Sequence, residues 1–222
     1  MIKKIFNLYS TSSRRKRAKL FNNVFHITEE TKILDLGGGN GKLIKSTVPF
    51  TKNICIADIN KDDLEKANQL GFKTLELDET GIIPCFVNEY DIIFSNSVIE
   101  HVTVDKNDIY KYRTNKSFRK AAFERQHLFA DEIRKKCSKY FVETPYKYFL
   151  LESHSWLPGL IVFLPRSLQF KILNITNKFW PKKTQPDWHL LTVSDMKELF
   201  PDAKIIKERS FFFTKSLIAI KS

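Results

Sequence analysis

The stretch ILDLGGGNGKL, from Ile33 to Leu43, decides the fold of this chain. An apolar run ends at Asp35, and four of the next six residues are glycine. Glycine permits positive φ and lets a ligand or a second backbone approach closely. A short apolar strand over 31–36, this loop, and a helix over 42–48 together predict a ligand-binding turn at the edge of a sheet.

Strands and helices alternate along the rest of the chain. Further strands are predicted over 54–59, 73–77, 90–95 and 139–142, with a terminal pair over 203–213 and 216–220. Helices are predicted over 14–27, 61–70, 118–137 and 193–200, the last capped by Thr192 or Ser194. The strands are nearly continuous in apolar character, which is typical of strands buried on both faces. We therefore expect an α/β fold: a doubly wound, mainly parallel, seven-stranded sheet with a C-terminal antiparallel strand pair.

Length and composition limit the class of protein. The 222 residues suffice for a single domain with its own core, and the apolar and charged fractions are those of a globular protein. The longest apolar run, 156–164, is interrupted by Pro158 and Gly159, and no secretion signal is visible. Three scattered cysteines without metal-ligand spacing indicate reduced thiols, a cytoplasmic location and no metal site.

The net charge of +12 is concentrated at the N-terminus, because residues 1–20 carry seven lysines and arginines and no acid. The basic segment 1–28 could bind a phosphate-rich partner: an anionic lipid, a nucleic acid or a polyanionic glycan. It could equally be a solvated terminal segment, and we favour that interpretation because basic runs are common and unspecific.

Two other known glycine-rich loop motifs do not match the stretch from Ile33 to Leu43. A phosphate loop, GxxxxGK[ST], would need glycine at Leu36 and serine or threonine at Leu43. A dinucleotide loop, GxGxxG, would need glycine or alanine at Lys42, where a helix packs closely on the strand. A nucleoside triphosphate and a dinucleotide are therefore poor candidates for the ligand.

The remaining pattern is D-x-G-x-G-x-G, formed by Asp35, Gly37, Gly39 and Gly41. It resembles the first motif of the class I S-adenosylmethionine-dependent methyltransferases. The segment YDIIFSNSVIEHV resembles the fourth motif of their small-molecule branch, the methyltransferase type 11/12-like proteins. The Asn/Asp-Pro-Pro-aromatic signature of relatives that methylate DNA bases and amides is missing here, since the sequence reads Ser95-Asn96-Ser97-Val98.

The resemblance implies S-adenosyl-L-methionine as the cofactor. It implies that an acid at the end of strand one meets the ligand's ammonium group and that Asp58 accepts hydrogen bonds from both ribose hydroxyls. Asp78 or Glu79 would contact the adenine, and the backbone near Ser95 and Asn96 would hold the methionine moiety. The predicted cofactor-binding residues are Asp35, Gly37, Gly38, Gly39, Gly41, Asp58, Ile59, Asp78, Glu79, Ser95 and Asn96.

The sequence defines the general base for methyl transfer less well than it defines the cofactor-binding residues. Transfer of a methyl group to a hydroxyl or a protonated amine requires a general base. His101 follows strand four and is the first candidate, although Glu100 and His101 could instead brace the turn. Glu143 leaves strand five at the same sheet edge, and His154 lies in the segment that follows. We predict His101, Glu143 and His154 as catalytic candidates.

Residues 146–190 form an insertion after strand five, with nine aromatic residues and six lysines and arginines against two acids. Its apolar patch, around Trp156 to Leu164, could dip into an anionic membrane to reach a lipid-linked acceptor. It could instead pack on the sheet as a lid over the acceptor site, and we favour the lid because buried aromatic residues usually belong to a core.

We expect one methyltransferase domain over 1–222 that methylates a small or glycan-type acceptor, at oxygen, in a surface-polysaccharide pathway. Open alternatives are C- or N-methylation of a lipophilic, quinone-like acceptor, methylation of RNA, and a non-catalytic cofactor-binding module. We do not expect a nucleic-acid partner, since no RNA-binding module is visible. The expected location is cytoplasmic, with peripheral contact to the inner face of the membrane left open.

Overall fold

A computed structural model describes residues 2–50, 52–78, 81–210 and 212–222, and of residues 2–10 the backbone alone. Seven strands form one sheet in the order β3-β2-β1-β4-β5-β7-β6. The strands are β1 (Ile33–Leu36), β2 (Ile54–Asp58), β3 (Lys73–Glu76), β4 (Ile92–Asn96), β5 (Tyr140–Pro145), β6 (Lys204–Ser210) and β7 (Phe213–Lys221). The helices are α1 (Ile2–Phe25), α2 (Lys42–Thr47), α3 (Lys61–Gln69), α4 (Asn115–Lys136), α5 (Arg166–Phe179) and α6 (Val193–Leu199). The predicted fold class is confirmed.

The chain forms two compact units. Unit 1 comprises Met1–Asn96, Ile133–Phe141 and Lys221–Ser222, and unit 2 comprises Ser97–Glu132 and Val142–Ile220. No helix within the described ranges combines the length and the apolar character that a membrane crossing requires.

Unit 1 holds the parallel strands. β1 pairs with β2 and β4, and β2 pairs with β3, all in parallel. The strand order reverses between β1 and β4, and ligands of doubly wound sheets bind at the carboxyl ends of the strands at such a reversal. The rings of Phe21, Phe94 and Phe141 pack together beneath this edge, with centroids 5.0 to 5.5 Å apart.

Helix α1 is longer than the sequence pattern predicts. Periodicity indicates a helix over 14–27, but the structure has α1 over Ile2–Phe25. No glycine or proline interrupts residues 2–25, so nothing in the chain stops the helix from extending toward the N-terminus. The basic residues of 14–19 therefore lie on a helix that carries Phe21 into the core.

Unit 2 contains the terminal strand pair and the insertion. β6 and β7 pair antiparallel, as predicted. Helix α6 begins after Thr192, whose side chain and that of Asp195 form a reciprocal capping box. Within 146–190, Ile161, Leu173, Trp188 and Leu190 form a small core of their own, flanked by Leu157, Val162, Leu164 and Ile172. Three short 3₁₀ helices complete the unit: Ile99–His101, Lys106–Lys111 and Gly159–Phe163.

Candidate functional site

The glycine loop turns sharply after β1 because its glycines adopt left-handed backbone angles. Gly37, Gly39 and Gly41 have φ of 75°, 54° and 70°. Gly41 precedes α2, and a Cβ there would stand 2.8 Å from the Phe72 ring. A Cβ on Gly38 would stand 2.4 Å from Asp35 Oδ2. The missing side chains thus leave bare backbone directly above the Asp35 carboxylate.

Asp35 is buried without full compensation. Its side chain is 2% exposed, and Oδ2 has no hydrogen-bond partner among the described residues. Burial, together with the negative charge of Asp58, raises the pKa of Asp35 to about 8. A positively charged group placed beside Oδ2 would lower the pKa of Asp35 again and favour the ionised carboxylate.

Asp58, at the end of β2, is already organised by backbone amides. The amide of Gly39 donates to Oδ2 at 2.8 Å, and the amide of Asn60 donates to Oδ1 at 2.9 Å. Asn60 itself caps α3 by accepting from the amide of Asp63. Asp58 is therefore not needed as the helix cap, and each of its oxygens keeps a lone pair for a ligand hydroxyl.

Three further predicted residues lie at the same strand ends of unit 1. Ile59 follows Asp58 with half of its surface exposed, which offers an apolar face to a ring. Ser95 is fully buried, with Oγ unpartnered among the described residues, and Asn96 Oδ1 accepts a 2.6 Å hydrogen bond from Arg17 Nη1. Asp78 is exposed beyond the end of β3, whereas Glu79 lies outside the described residues.

In unit 2, the turn after β4 carries strain. Ser97 has φ of 57°, an uncommon value for a residue with a side chain. Its amide donates to the carbonyl of Glu143, and its hydroxyl donates to Glu143 Oε2 at 2.9 Å. The predicted candidate Glu143 thus fixes the turn that leads into the helix of Glu100 and His101.

The two candidate histidines lie together. The rings of His101 and His154 pack edge to face with centroids 4.5 Å apart. His101 Nδ1 is 3.5 Å from Asp187 Oδ2, and His154 Nε2 is 3.5 Å from Glu100 Oε1. His154 Nδ1 is 2.7 Å from Glu152 Oε1. Each imidazole therefore has its own carboxylate at Nδ1, and His154 has a second one at Nε2.

The protonation of His154 follows from these contacts. Burial opposes its charge, but the hydrogen bonds and negative charges of Glu100 and Glu152 outweigh burial and raise the pKa of His154 to about 9. In the same way, burial is outweighed by His101 and the pKa of Asp187 is lowered. At neutral pH His154 is a buried cation between two carboxylates, while His101 is partly exposed and oriented by one.

A metal could also be considered at this cluster. Glu100, His101 and His154 bring one ligand atom each to within 4.8 Å of one another. The proton on His154 already supplies positive charge between the carboxylates. The absence of a metal at this cluster stays a prediction, which treatment with a chelator tests.

A polar cavity of about 580 Å³ adjoins His101. Its walls also include Lys106, Asn177, Lys183, Gln185 and Asp187. Amide, ammonium and carboxylate groups of this kind bind hydroxyl-rich molecules. No sequence pattern points to Asp187, because this residue lies far along the chain in an irregular segment.

Among the comparisons with known proteins, solved structures support the fold. No protein-family model matches the chain, and no curated protein matches its sequence. Among solved structures, magnesium protoporphyrin IX methyltransferase (ChlM) of Synechocystis PCC 6803 with bound SAH matches 96% of this chain and 83% of its own, with a TM-score of 0.55 and 11% identity.

Two other structures show the breadth of this likeness. The N-terminal domain of EvdMO1 with SAH bound has a TM-score of 0.53 at 11% identity, over 93% of this chain and 79% of its own. The small RNA methyltransferase HEN1 has a TM-score of 0.54 at 15% identity, over 93% of this chain and 24% of its own. The chain therefore has the Rossmann-like fold of class I S-adenosylmethionine-dependent methyltransferases.

Proposed function

We propose that this chain is an S-adenosylmethionine-dependent methyltransferase that methylates a hydroxyl group of a small or glycan-type acceptor. The observation that carries the proposal is the pairing of bare glycine backbone with two carboxyl groups in different surroundings. Asp35 is buried, with a raised pKa and no hydrogen-bond partner for Oδ2 among the described residues, and Asp58 is held by backbone amides. An amino acid ammonium suits the first carboxylate, and a ribose diol suits the second.

The other predicted cofactor residues fit the same assignment. Ile59, with Asp78 or Glu79, would border the adenine, and the backbone at Ser95 and Asn96 would hold the methionine moiety. The sulfonium cofactor supplies a methyl group that is already activated, so the protein must mainly align the acceptor oxygen and remove its proton.

His101 is proposed as the general base. Its Nδ1 faces Asp187, which leaves Nε2 as the atom that accepts the proton of the acceptor hydroxyl. As the new C–O bond forms and the carbon–sulfur bond breaks, the hydroxyl proton moves to Nε2 and Asp187 stabilises the resulting imidazolium. His154 is already protonated at neutral pH and is proposed to position Glu100 and the His101 ring. Glu143 is proposed to hold the Ser97 turn.

The polar cavity beside His101 supports a hydroxyl-rich acceptor, and surface-polysaccharide building blocks are the class that we propose. The segment 146–190 supplies Asn177, Lys183, Gln185 and Asp187 to this cavity, and we propose that it acts as the acceptor-site lid.

A lipid-linked acceptor is the second candidate, favoured by apolar side chains that stay exposed on the same segment. Leu160, Phe163, Ile175 and Phe179 are all more than half exposed. Lysines flank them, so this surface would suit peripheral contact with an anionic membrane.

The first test is calorimetric titration of the purified chain with S-adenosylhomocysteine. Binding in the micromolar range is expected, followed by methyl transfer from labelled cofactor to hydroxylic acceptors, with equal rates before and after treatment with EDTA. A chain that binds neither S-adenosylhomocysteine nor S-adenosylmethionine would contradict the proposal. Loss of activity in EDTA, restored by a divalent cation, would contradict the metal-free base.

A further inference from the structure

A second cavity of unit 2, with a volume of about 690 Å³, has a chemistry that the methyl-transfer proposal does not use. It is lined by the first turns of α4, by Lys147, by the start of α5 and by residues 188–190. Five of its lining residues are lysine or arginine, and Glu124 is the only acid among them. We call it the basic groove.

Two of these cations, Lys147 and Arg119, lie close enough for one to affect the other. Burial, and then the positive charge of Arg119, lower the pKa of Lys147. Arg119 has one carboxylate partner, Asp195, with Nη2 and Oδ1 3.4 Å apart. No carboxylate lies within ion-pair distance of the Lys147 ammonium among the residues that the structure describes. The groove thus holds more positive charge than its own acids neutralise.

Arg166 is the most firmly built part of the groove. It is only 2% exposed, its Nε donates to the carbonyl of Tyr112, and its Nη2 donates to the carbonyl of Pro186, both at 3.0 Å. The guanidinium lies 3.6 Å from the centroid of the Phe118 ring. These contacts fix the plane of the cation. Burial lowers the pKa of Arg166 to about 10, and the negative charge of Asp187 offsets part of that effect.

Two buried polar atoms in the groove wall also lack partners within the described ranges. They are Trp188 Nε1, a donor, and His189 Nε2. Gln126 Nε2 donates to the carbonyls of Ile99 and His189, so its Oε1 is the acceptor for His189 Nδ1–H at 2.8 Å. His189 Nε2 must therefore be an unprotonated acceptor. Burial lowers the pKa of this ring to about 4. The charge of Asp195 opposes that shift, and the charges of Lys147, Arg119 and Arg166 add to it.

The basic groove shares its wall with the catalytic cluster. The Trp188 ring stacks on His154 at 5.9 Å and 16°, and the amide of His189 donates to the carbonyl of Glu100 at 2.8 Å. A ligand held in the groove would therefore lie against the residues that brace His101.

We infer that the basic groove binds the phosphate group of a phosphorylated acceptor, with Arg119, Lys147 and Arg166 as its cations and Trp188 and His189 as partners for an adjoining oxygen or hydroxyl. This inference rests on the proposed function, because it names the acceptor class of the same enzyme. The ligand class is a phosphate or diphosphate ester of a hydroxylated molecule. Planar guanidinium groups and ammonium groups together are the usual partners of such esters.

The experiment is calorimetric titration with inorganic pyrophosphate at low salt, without cofactor. Lys147→Gln is expected to weaken binding about tenfold, since one charge-assisted contact is lost. Lys171→Gln removes an exposed lysine of α5 that does not line the groove, and it should change the affinity less than twofold. Failure of the parent chain to bind pyrophosphate would overturn the inference, and so would equal losses in the two variants.

Parallel titrations use phosphatidylglycerol vesicles and a short single-stranded RNA. If either binds more tightly than pyrophosphate and depends on Lys147, the groove serves a membrane or a nucleic acid and the small-acceptor inference fails. S-adenosylhomocysteine titration of the same variants keeps the two proposals distinguishable. A parent chain that binds pyrophosphate but not S-adenosylhomocysteine would contradict the methyltransferase function and leave the phosphate site supported.

Discussion

Asp35 of unit 1 and His154 of unit 2 are both buried ionisable side chains, but they resolve the cost of burial in opposite ways. Asp35 has an unpartnered oxygen and a pKa raised to about 8, so it stays neutral at pH 7. His154 lies between Glu100 and Glu152 with a pKa raised to about 9, so it stays charged. One site lacks a counter-charge, and the other carries its own.

The difference separates a carboxyl group that has no positively charged partner among the described residues from a histidine whose charge is paired within the chain. The glycine loop leaves bare backbone above Asp35, where the ammonium group of a bound ligand would favour the ionised carboxylate. The histidine cluster needs no ligand to fix its geometry, because its three carboxylates, Glu100, Glu152 and Asp187, come from three separate segments of the chain. A general base benefits from such preorganisation.

Replacing His101 should have the largest effect and should leave the cofactor site intact. His101→Ala is expected to lower kcat for methyl transfer by about 10²- to 10⁴-fold, since the acceptor proton loses its base. Affinity for S-adenosylhomocysteine should not change. The matched control is His127→Ala, because His127 lies on α4 and pairs with Glu198 of α6, which is not a member of the cluster. A His101→Ala variant with near-normal kcat would remove His101 from the mechanism.

Replacing Asp58 should weaken cofactor binding in unit 1 and leave the histidine cluster of unit 2 unchanged. Asp58→Ala is expected to weaken S-adenosylhomocysteine binding about 100-fold, because two charge-assisted hydrogen bonds to the ribose and the amide of Gly39 are lost together. Asp62→Ala changes an exposed acid in the first turn of α3 and serves as the control. Equal affinities of the two variants would contradict the ribose assignment.

The contrast between the two regions also explains what the sequence could predict. The cofactor edge was predictable because its signals are local: a strand, a glycine run, and an acid at the end of the next strand lie within thirty residues or so of one another. The Thr192 cap was predictable for the same reason. The true start of α1 at Ile2 was not, because the N-terminal residues show weak periodicity and no breaker.

The histidine cluster could be predicted only in part. His101, Glu143 and His154 were visible as isolated candidates, but Asp187 pairs with His101 through tertiary folding of an irregular segment that has no periodic signal. The protonated state of His154 depends on two carboxylates whose approach no spacing rule predicts. The buried Arg166, which looks like an ordinary surface charge in the sequence, is hidden for the same reason.

Proton release on cofactor binding would sharpen the comparison at Asp35. At pH 7 the carboxyl is mostly protonated, and the ammonium of S-adenosylhomocysteine should ionise it, releasing just under one proton per chain. Calorimetry in two buffers with different ionisation enthalpies measures this number. Asp35→Asn should abolish the release, while Asp58→Asn should retain it. Binding without proton release in the parent chain would show that the ligand's cation lies elsewhere.

The smallest expected effect is the pH dependence of stability at His154. Its folded pKa lies above the ordinary value of 6.5, so the stability it contributes is fully present below pH 6.5 and is lost as pH rises through about 9. His154→Gln should therefore lower Tm by several degrees at pH 6, and the difference from the parent chain should shrink toward pH 10. Asp35 also lowers the stability of the fold as pH rises from about 4 to 8, because its carboxyl loses its proton at a lower pH in the unfolded chain than in the folded chain. The parent chain and the His154→Gln variant share that loss, so it cancels in the difference between them. A Tm difference that stays constant from pH 6 to pH 10 would mean that His154 is held by packing against Trp188 and not by its charge, and the two regions would then differ less than their contacts indicate.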